Sequence, residues 1–271
     1  MTATVEHLAA SIGIGGITVR LHVTDSTFLR MLDQRYAGFP SNDESADCEF
    51  EVELVAPRSL DDPAIEEDVC VRREDSTWIV TRGDFQAKWD PVARRGRIRQ
   101  SANPYSIDSV LRIVHTLVLA RQGGFLVHAA SAVRNGRAFL FAGVSGAGKT
   151  TVSRLAPADA TLLSDEISYV RREPGGYYAY GTPFAGELAK PGENLRAPLA
   201  ALYLLGKGLE NRIEPVPTAE AVRELMSNIL FFAEDSELVQ AVFQSACEFV
   251  EHVPVRRLTF VPDARVWEMI Q

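Results

Sequence analysis

Ala138-Phe-Leu-Phe-Ala142, Gly143-Val-Ser-Gly-Ala-Gly148-Lys149-Thr150 and Thr151-Val-Ser-Arg-Leu-Ala156 follow one another without a break. The first piece reads as a buried strand, the second meets every fixed position of G-x-x-x-x-G-K-[ST], and Thr150 to Ala156 reads as the opening of a helix. Strand, glycine loop and helix start together make an anion site, because glycines let successive backbone N–H groups point inward and the helix dipole adds partial positive charge. The expected nucleotide contacts are therefore Gly143, Ser145, Gly146, Ala147, Gly148, Lys149, Thr150 and Thr151. In this motif Lys149 reaches the outer phosphates of ATP and the Thr150 hydroxyl is a Mg²⁺ ligand. A glycine-rich β-to-α turn that binds nothing has the same letters but does not require this flanking pattern.

Composition narrows the rest. The chain has 271 residues, is 46% hydrophobic and 24% charged, and has a formal net charge of −8. Such a balance belongs to globular proteins and argues against nonspecific binding of nucleic acid or anionic lipid, both of which need a basic surface. No apolar run approaches the ~20 residues of a bilayer span, and Met1-Thr-Ala-Thr-Val-Glu-His7 lacks a basic signal-peptide start. A cytoplasmic protein is expected. Cys48, Cys70 and Cys247 are widely separated, so ordinary reduced thiols are expected, with neither a disulfide framework nor a zinc site.

Two regions are expected, 1–120 and 121–271. In the first, Ile17–Val23 and Cys48–Leu54 alternate, and Thr77–Thr81 with Phe85–Trp89 reads as a hairpin closed by Arg82-Gly-Asp84. Period-2 alternation between turn-forming clusters predicts a half-exposed, mostly antiparallel sheet. The acidic stretch Asp61–Asp68 reads as a solvated loop. Ser106 to Arg121 has helical spacing, with Ile107, Val110, Leu111, Val114 and Val118 on one face and His115 at its border.

The second region opens on Phe125–Val133 and Ala138–Ala142, two strands joined through Asn135-Gly136, a strong hairpin signal. Strands are expected at Thr161–Leu163, Ile167–Arg171, Tyr177–Tyr180, Ala201–Leu205 and Val255–Val261, and helices at Ala219–Phe232 and Glu237–Val250. A mixed α/β (α+β) nucleotide-binding core fits this order.

Magnesium–nucleotide chemistry needs an acid to hold or orient the metal and, where a hydroxyl is phosphorylated, a base for its proton. Asp165-Glu166 follows the apolar Thr161–Leu163 and lies only 16 positions beyond Lys149. That leaves room for one short helix and a return to a neighbouring strand, with the acids on the phosphate side. His128 sits in the strand paired with the one feeding the loop. A packed histidine is its bland reading, and contact with a phosphoryl group is the functional one. Lys190, Arg196, Arg256 and Arg257 are further candidates for neutralising phosphate.

His128-Ala-Ala-Ser131, the glycine loop, Leu163-Ser-Asp-Glu166, Gly181-Thr-Pro183, Lys190-Pro191 and Ala201-Leu-Tyr-Leu-Leu205, in that order, resemble the catalytic domain of HPr kinase/phosphorylase and its shorter relatives associated with peptides or small substrates. The resemblance spans about residues 120 to 233. It implies a phosphoenolpyruvate carboxykinase-like nucleotide fold, with His128 by the phosphates, Lys149 and Thr150 on phosphate and Mg²⁺, and Asp165 and Glu166 handling metal and proton; Asp165 joins Thr150 as a metal ligand. Where the HPr-acting enzymes carry two aspartates this chain has Asp165-Glu166, and its N-terminal region does not resemble theirs. The resulting expectation is an ATP- and Mg²⁺-dependent kinase acting on a serine-like hydroxyl of a peptide, protein or small molecule. Its rival is a nucleotide-binding regulatory or maturation module with little or no transfer. Carboxykinase activity lacks a convincing set of carboxylate-binding arginines. The oligomeric state is open, with a homo-oligomer among the expectations.

Overall fold

The computed structural model describes residues 8–57 and 68–270. It is a mixed α+β chain, rich in strands, with two sheets and five helices among the described residues. Of the described residues, those up to Val114 together with Phe232–Ser236 form one compact unit; His115–Phe231 and Glu237 onward form the other. The division falls inside a helix. None of the described helices is long and apolar enough to cross a membrane.

The first unit is built on a seven-stranded sheet. β1 (Leu8–Ile14) and β2 (Ile17–Val23) form a hairpin whose turn residues, Gly15 and Gly16, have positive φ. α1 (Ser26–Arg35) follows, its first turn capped by the Asp25 carboxylate, which accepts from the Phe28 amide at 2.7 Å. The remaining strands are β3 (Cys48–Leu54), β4 (Cys70–Glu74), β5 (Thr77–Arg82), β6 (Phe85–Asp90) and β7 (Arg95–Gln100), in the order β1-β2-β3-β7-β6-β5-β4. The sheet is not antiparallel throughout, because β3 runs parallel to both β2 and β7. α1 carries the chain back over the sheet, so β3 enters in the direction of β2. On β3, Phe50 and Val52 face the core, while Glu49, Glu51 and Glu53 stand opposite Arg95, Arg97 and Arg99 of β7. β7 escapes a hydrophobicity reading because Ile98 is its one buried apolar residue, and at Gly96 a Cβ would lie 2.5 Å from the Phe50 ring. Within Asp61–Asp68, residues 61–67 lie outside the described residues.

α2 (Pro104–Ala120) buries more than the expected stripe: Ile113, Leu117 and Leu119 are buried as well as Ile107, Val110, Leu111 and Val114, while Val118 is only half-buried. His115 is fully buried, and its Nδ1 is 3.2 Å from the Tyr169 hydroxyl.

The second unit holds β8 (Phe125–Arg134), β9 (Arg137–Ala142), α3 (Lys149–Arg154), β10 (Ala160–Ser164), β11 (Ile167–Glu173), β12 (Gly176–Tyr180), β13 (Arg196–Lys207), β14 (Arg212–Pro215), α4 (Thr218–Asn228), β15 (Ile229–Leu230), α5 (Ser236–His252) and β16 (Val255–Phe260), ending in a 3₁₀ turn, Ala264–Glu268. The β8–β9 turn places Asn135 and Gly136 at φ 52° and 72°, as an Asn-Gly hairpin requires. β8 pairs with β11, β11 with β12, β12 with β13, β13 with β9, and β9 with β8, so five strands close into a circuit. One buried cluster includes Val127, Leu140, Leu202 and Phe249, and a second includes Phe141, Val152, Tyr203 and Trp267. α4 stops at Asn228, short of the expected Phe232, because the next two residues turn extended and pair with Leu126 and Val127 of β8.

Burial, together with the like charge of Arg171, pushes the His115 pKa from its ordinary 6.5 down to about 3. The unfolded chain thus binds a proton below pH ~6.5 that the folded chain refuses, and stability is lost as pH falls through that window. Wild type should lose about 1.4 kcal/mol more per pH unit than His115→Gln between about pH 6 and 4. Urea titrations of both proteins across that range check it, and identical slopes would exclude a neutral, buried His115.

Candidate active site

The register of β8 brings the separated motifs together. Ala129 lies opposite Ala142, the last residue of β9, and the neighbouring His128 lies opposite Ile167, the first residue of β11. His128 therefore stands where one ladder ends and the other begins, beside the glycine loop leaving β9 and the Asp165-Glu166 turn entering β11. β13 and β16 run parallel to their neighbours β9 and β13, so their C-terminal ends come up under the same loop. A Cβ at Gly148 would lie 2.7 Å from the Phe260 ring, and one at Gly143 would lie 2.7 Å from Ala147. Gly146 and Gly148 also have φ of 74° and 114°, which L side chains avoid.

The result is a cavity of about 310 Å³ lined by His128, Ser145, Gly146, Gly148, Lys149, Thr150, Thr151, Asp165, Glu166 and Glu187. Lys149 is buried and folds back over its own loop, donating to the carbonyls of Gly143 at 2.7 Å and Val144 at 3.3 Å. Burial lowers its pKa, opposed by the carboxylates of Glu166 and Glu187. The Ser164 hydroxyl accepts from the amides of Glu166 and Ile167 at 3.2 and 2.9 Å and so fixes the acidic turn. Asp165 is buried, with Oδ1 accepting from the Gly186 amide and Oδ2 from the Leu188 amide, both at 2.8 Å.

Those amides belong to a strap between β12 and β13. Its stems are zipped to β10: the Thr182 amide donates to the Leu163 carbonyl and the Glu193 amide to the Leu162 carbonyl, each at 3.0 Å. At Gly186 a Cβ would sit 2.7 Å from that of Glu166, so only glycine lets the strap approach the acidic turn this closely. The strap's tip presents Glu187 to the cavity.

Residues 99–271 match the family described as SynChlorMet cassette protein ScmC. The chain belongs to that family. No curated protein matches it. The match takes in every residue of the cavity and leaves out the strands before Arg99.

In this ScmC family member the nine lining residues other than Glu187 are all among those expected from sequence. Gly143 and Ala147 sit just behind the wall: the first receives Lys149 through its carbonyl, and the second is buried with its amide on Val144. Glu187 has no periodic or motif context; the only signal for it is its place between the Gly181-Thr and Lys190-Pro stems. The expected extra cations do not reach this cavity. Arg196 pairs with Glu173 and lies 5.0 Å over the Tyr178 ring, while Arg257 pairs with Glu220 and Glu224 of α4. Arg256 does not line the cavity, and Lys190 lines a neighbouring one.

Among the described residues no group of three or more His, Cys, Asp and Glu is arranged to hold a metal. Mg²⁺ does not require such a cage, since it keeps several waters and is bound through one or two carboxylates plus substrate phosphates. The hard oxygens lining the cavity, the Thr150 hydroxyl and the carboxyl groups of Asp165, Glu166 and Glu187, suit it chemically.

An amide in place of the Asp165 carboxylate offers one acceptor where the strap needs two. In Asp165→Asn, hydrogen exchange at the Gly186 and Leu188 amides should accelerate about tenfold or more, an amount equivalent to one hydrogen bond of ~1–1.5 kcal/mol. Amide-resolved exchange by NMR reads this directly.

Proposed function

We propose that this protein is an ATP- and Mg²⁺-dependent kinase, built on a phosphoenolpyruvate carboxykinase-like core similar to that of HPr kinase/phosphorylase, that phosphorylates a serine-like hydroxyl. The observation that carries this reading is the meeting of His128, Lys149, Thr150, Asp165 and Glu166 around one cavity. The loop amides and Lys149 cradle the outer phosphates, and His128 contacts the group being transferred. Thr150 and an acid of the turn, Asp165 where it is not the base, would hold Mg²⁺, which would supply neutralisation of phosphate charge. Asp165, oriented by the two strap amides, accepts the acceptor's hydroxyl proton as the hydroxyl oxygen bonds to the γ-phosphorus and the bond to ADP breaks. Glu166 faces Lys149 electrostatically and supports that arrangement. Such transfer rests on positioning and charge stabilisation, which is why few residues are involved.

A second reading, a nucleotide-binding regulatory or maturation module, draws on the engagement of both Asp165 oxygens by the strap. In that case the acid serves as an anchor that senses the nucleotide.

Both readings require the loop to bind ATP. Lys149→Ala should lose most ATP affinity with the fold intact, whereas Thr150→Val should weaken ATP mainly when Mg²⁺ is present. Calorimetry with and without the metal checks both, and unchanged affinity in a folded Lys149→Ala protein removes the loop assignment.

The two readings separate at the acids. For a kinase, Asp165→Asn should keep ATP binding yet lose ~10²–10⁴ in turnover, and Glu166→Gln should lose less. Single-turnover transfer of labelled γ-phosphate to a peptide and small-molecule acceptor panel reads it. Nucleotide binding without transfer to any acceptor favours the module.

A further inference from the structure

The other side of the strap borders a second cavity, of about 340 Å³, and Asp165 lines both. The acid that would take the acceptor's proton thus forms part of the wall of each. Beyond Asp165 the second cavity has an apolar side, with Ala156 and Leu188, and two charges of opposite sign from the strap, Lys190 and Glu193. Among the described residues neither of those charges is tied up in an ion pair. The strap's position is fixed by its stems, since a Cβ at Gly192 would lie 1.7 Å from the Leu163 carbonyl oxygen, so the two charges are carried on a held backbone.

We infer that this cavity is the acceptor site and that it takes a small hydroxy acid, a free hydroxy amino acid fitting best: carboxylate on Lys190, ammonium on Glu193, side-chain hydroxyl toward Asp165. The inference rests on the kinase reading of the first cavity. The hydroxyl oxygen takes the phosphoryl group from ATP, its proton passes to Asp165, and the products are ADP and the O-phospho acid.

Calorimetry with L-serine, glycerate and a non-hydrolysable ATP analogue tests the site. L-Serine should bind wild type and bind Lys190→Met at least tenfold more weakly, with the affinity for the analogue unchanged. Glu193→Gln should weaken L-serine and spare glycerate, which has no ammonium. Binding of the analogue with neither acid bound, or equal binding of both acids to wild type and Lys190→Met, overturns the acceptor site and leaves the kinase reading standing. Phosphorylation of a seryl peptide that neither acid inhibits also overturns it, in favour of a macromolecular acceptor. Failure of the analogue itself to bind overturns the kinase reading instead, and the Lys190-dependence of L-serine binding then decides the cavity alone.

Discussion

β8 pairs with β9, β10, β11 and β15, and two of these ladders meet end to end along it. From Ala129 onward it pairs with β9, and up to His128 it pairs with β11. This single division of labour is what converts three sequence motifs into one site. The strand that feeds the glycine loop and the strand that follows the acidic turn are not neighbours of each other; each is hydrogen-bonded to a different half of β8, and the change of partner occurs at His128. A one-residue slip of either ladder would turn the alternate side chains to the opposite face and separate the histidine from the acids. The buried clusters oppose such a slip, because Val127 and Ala129 on β8 and Ala138, Leu140 and Ala142 on β9 are all packed in one core.

The second constraint is electrostatic. A buried carboxylate is costly unless its oxygens are hydrogen-bonded, and Asp165 meets that need with the amides of Gly186 and Leu188. In doing so it ties the strap to the acidic turn and brings Glu187 to face Lys149. The acid's local requirement therefore shapes the cavity wall, and any ligand that draws on Asp165 must compete with the strap or use the remaining lone pairs of its oxygens.

Much of this was legible in the chain. The strand–loop–helix reading rests on patterns within a dozen residues, and there local chemistry decides: glycines at positive φ, an Asn-Gly turn, an apolar strand. The hairpin β5–β6 and the strands β2 and β3 were readable for the same reason. What escaped depends on distant partners. β7, Arg95–Gln100, alternates arginine with little apolar content and is a strand because Glu49, Glu51 and Glu53 lie across from it. β1, α1 and β4 carry similarly weak patterns. The parallel placement of β3 follows from the α1 crossover, which was not expected from sequence. Ile229 and Leu230 continue a helical pattern, but pairing with β8 wins over propensity. Glu187 lies on a strap whose conformation is set by Asp165 and by its zipped stems, neither of which is visible in the strap's own residues.

The charge of the first cavity bears on the proposed chemistry. Three carboxyl groups, Asp165, Glu166 and Glu187, share it with one ammonium, that of Lys149; of the cations expected from elsewhere in the chain, Arg196 and Arg257 are committed to Glu173, Glu220 and Glu224, and Lys190 and Arg256 do not line it. Burial further disfavours the charged form of Lys149. A triphosphate entering alone would bring its negative charge against these acids in a partly desolvated space, where like charges repel more strongly than in water. Under the kinase reading a divalent cation would then strengthen binding as well as serve transfer, since it offsets both the phosphates and the acids that surround them. On that reading the oxygens of Thr150, Asp165, Glu166 and Glu187 would face the cation while Lys149 and the loop amides meet the phosphates, and a large basic patch is not required.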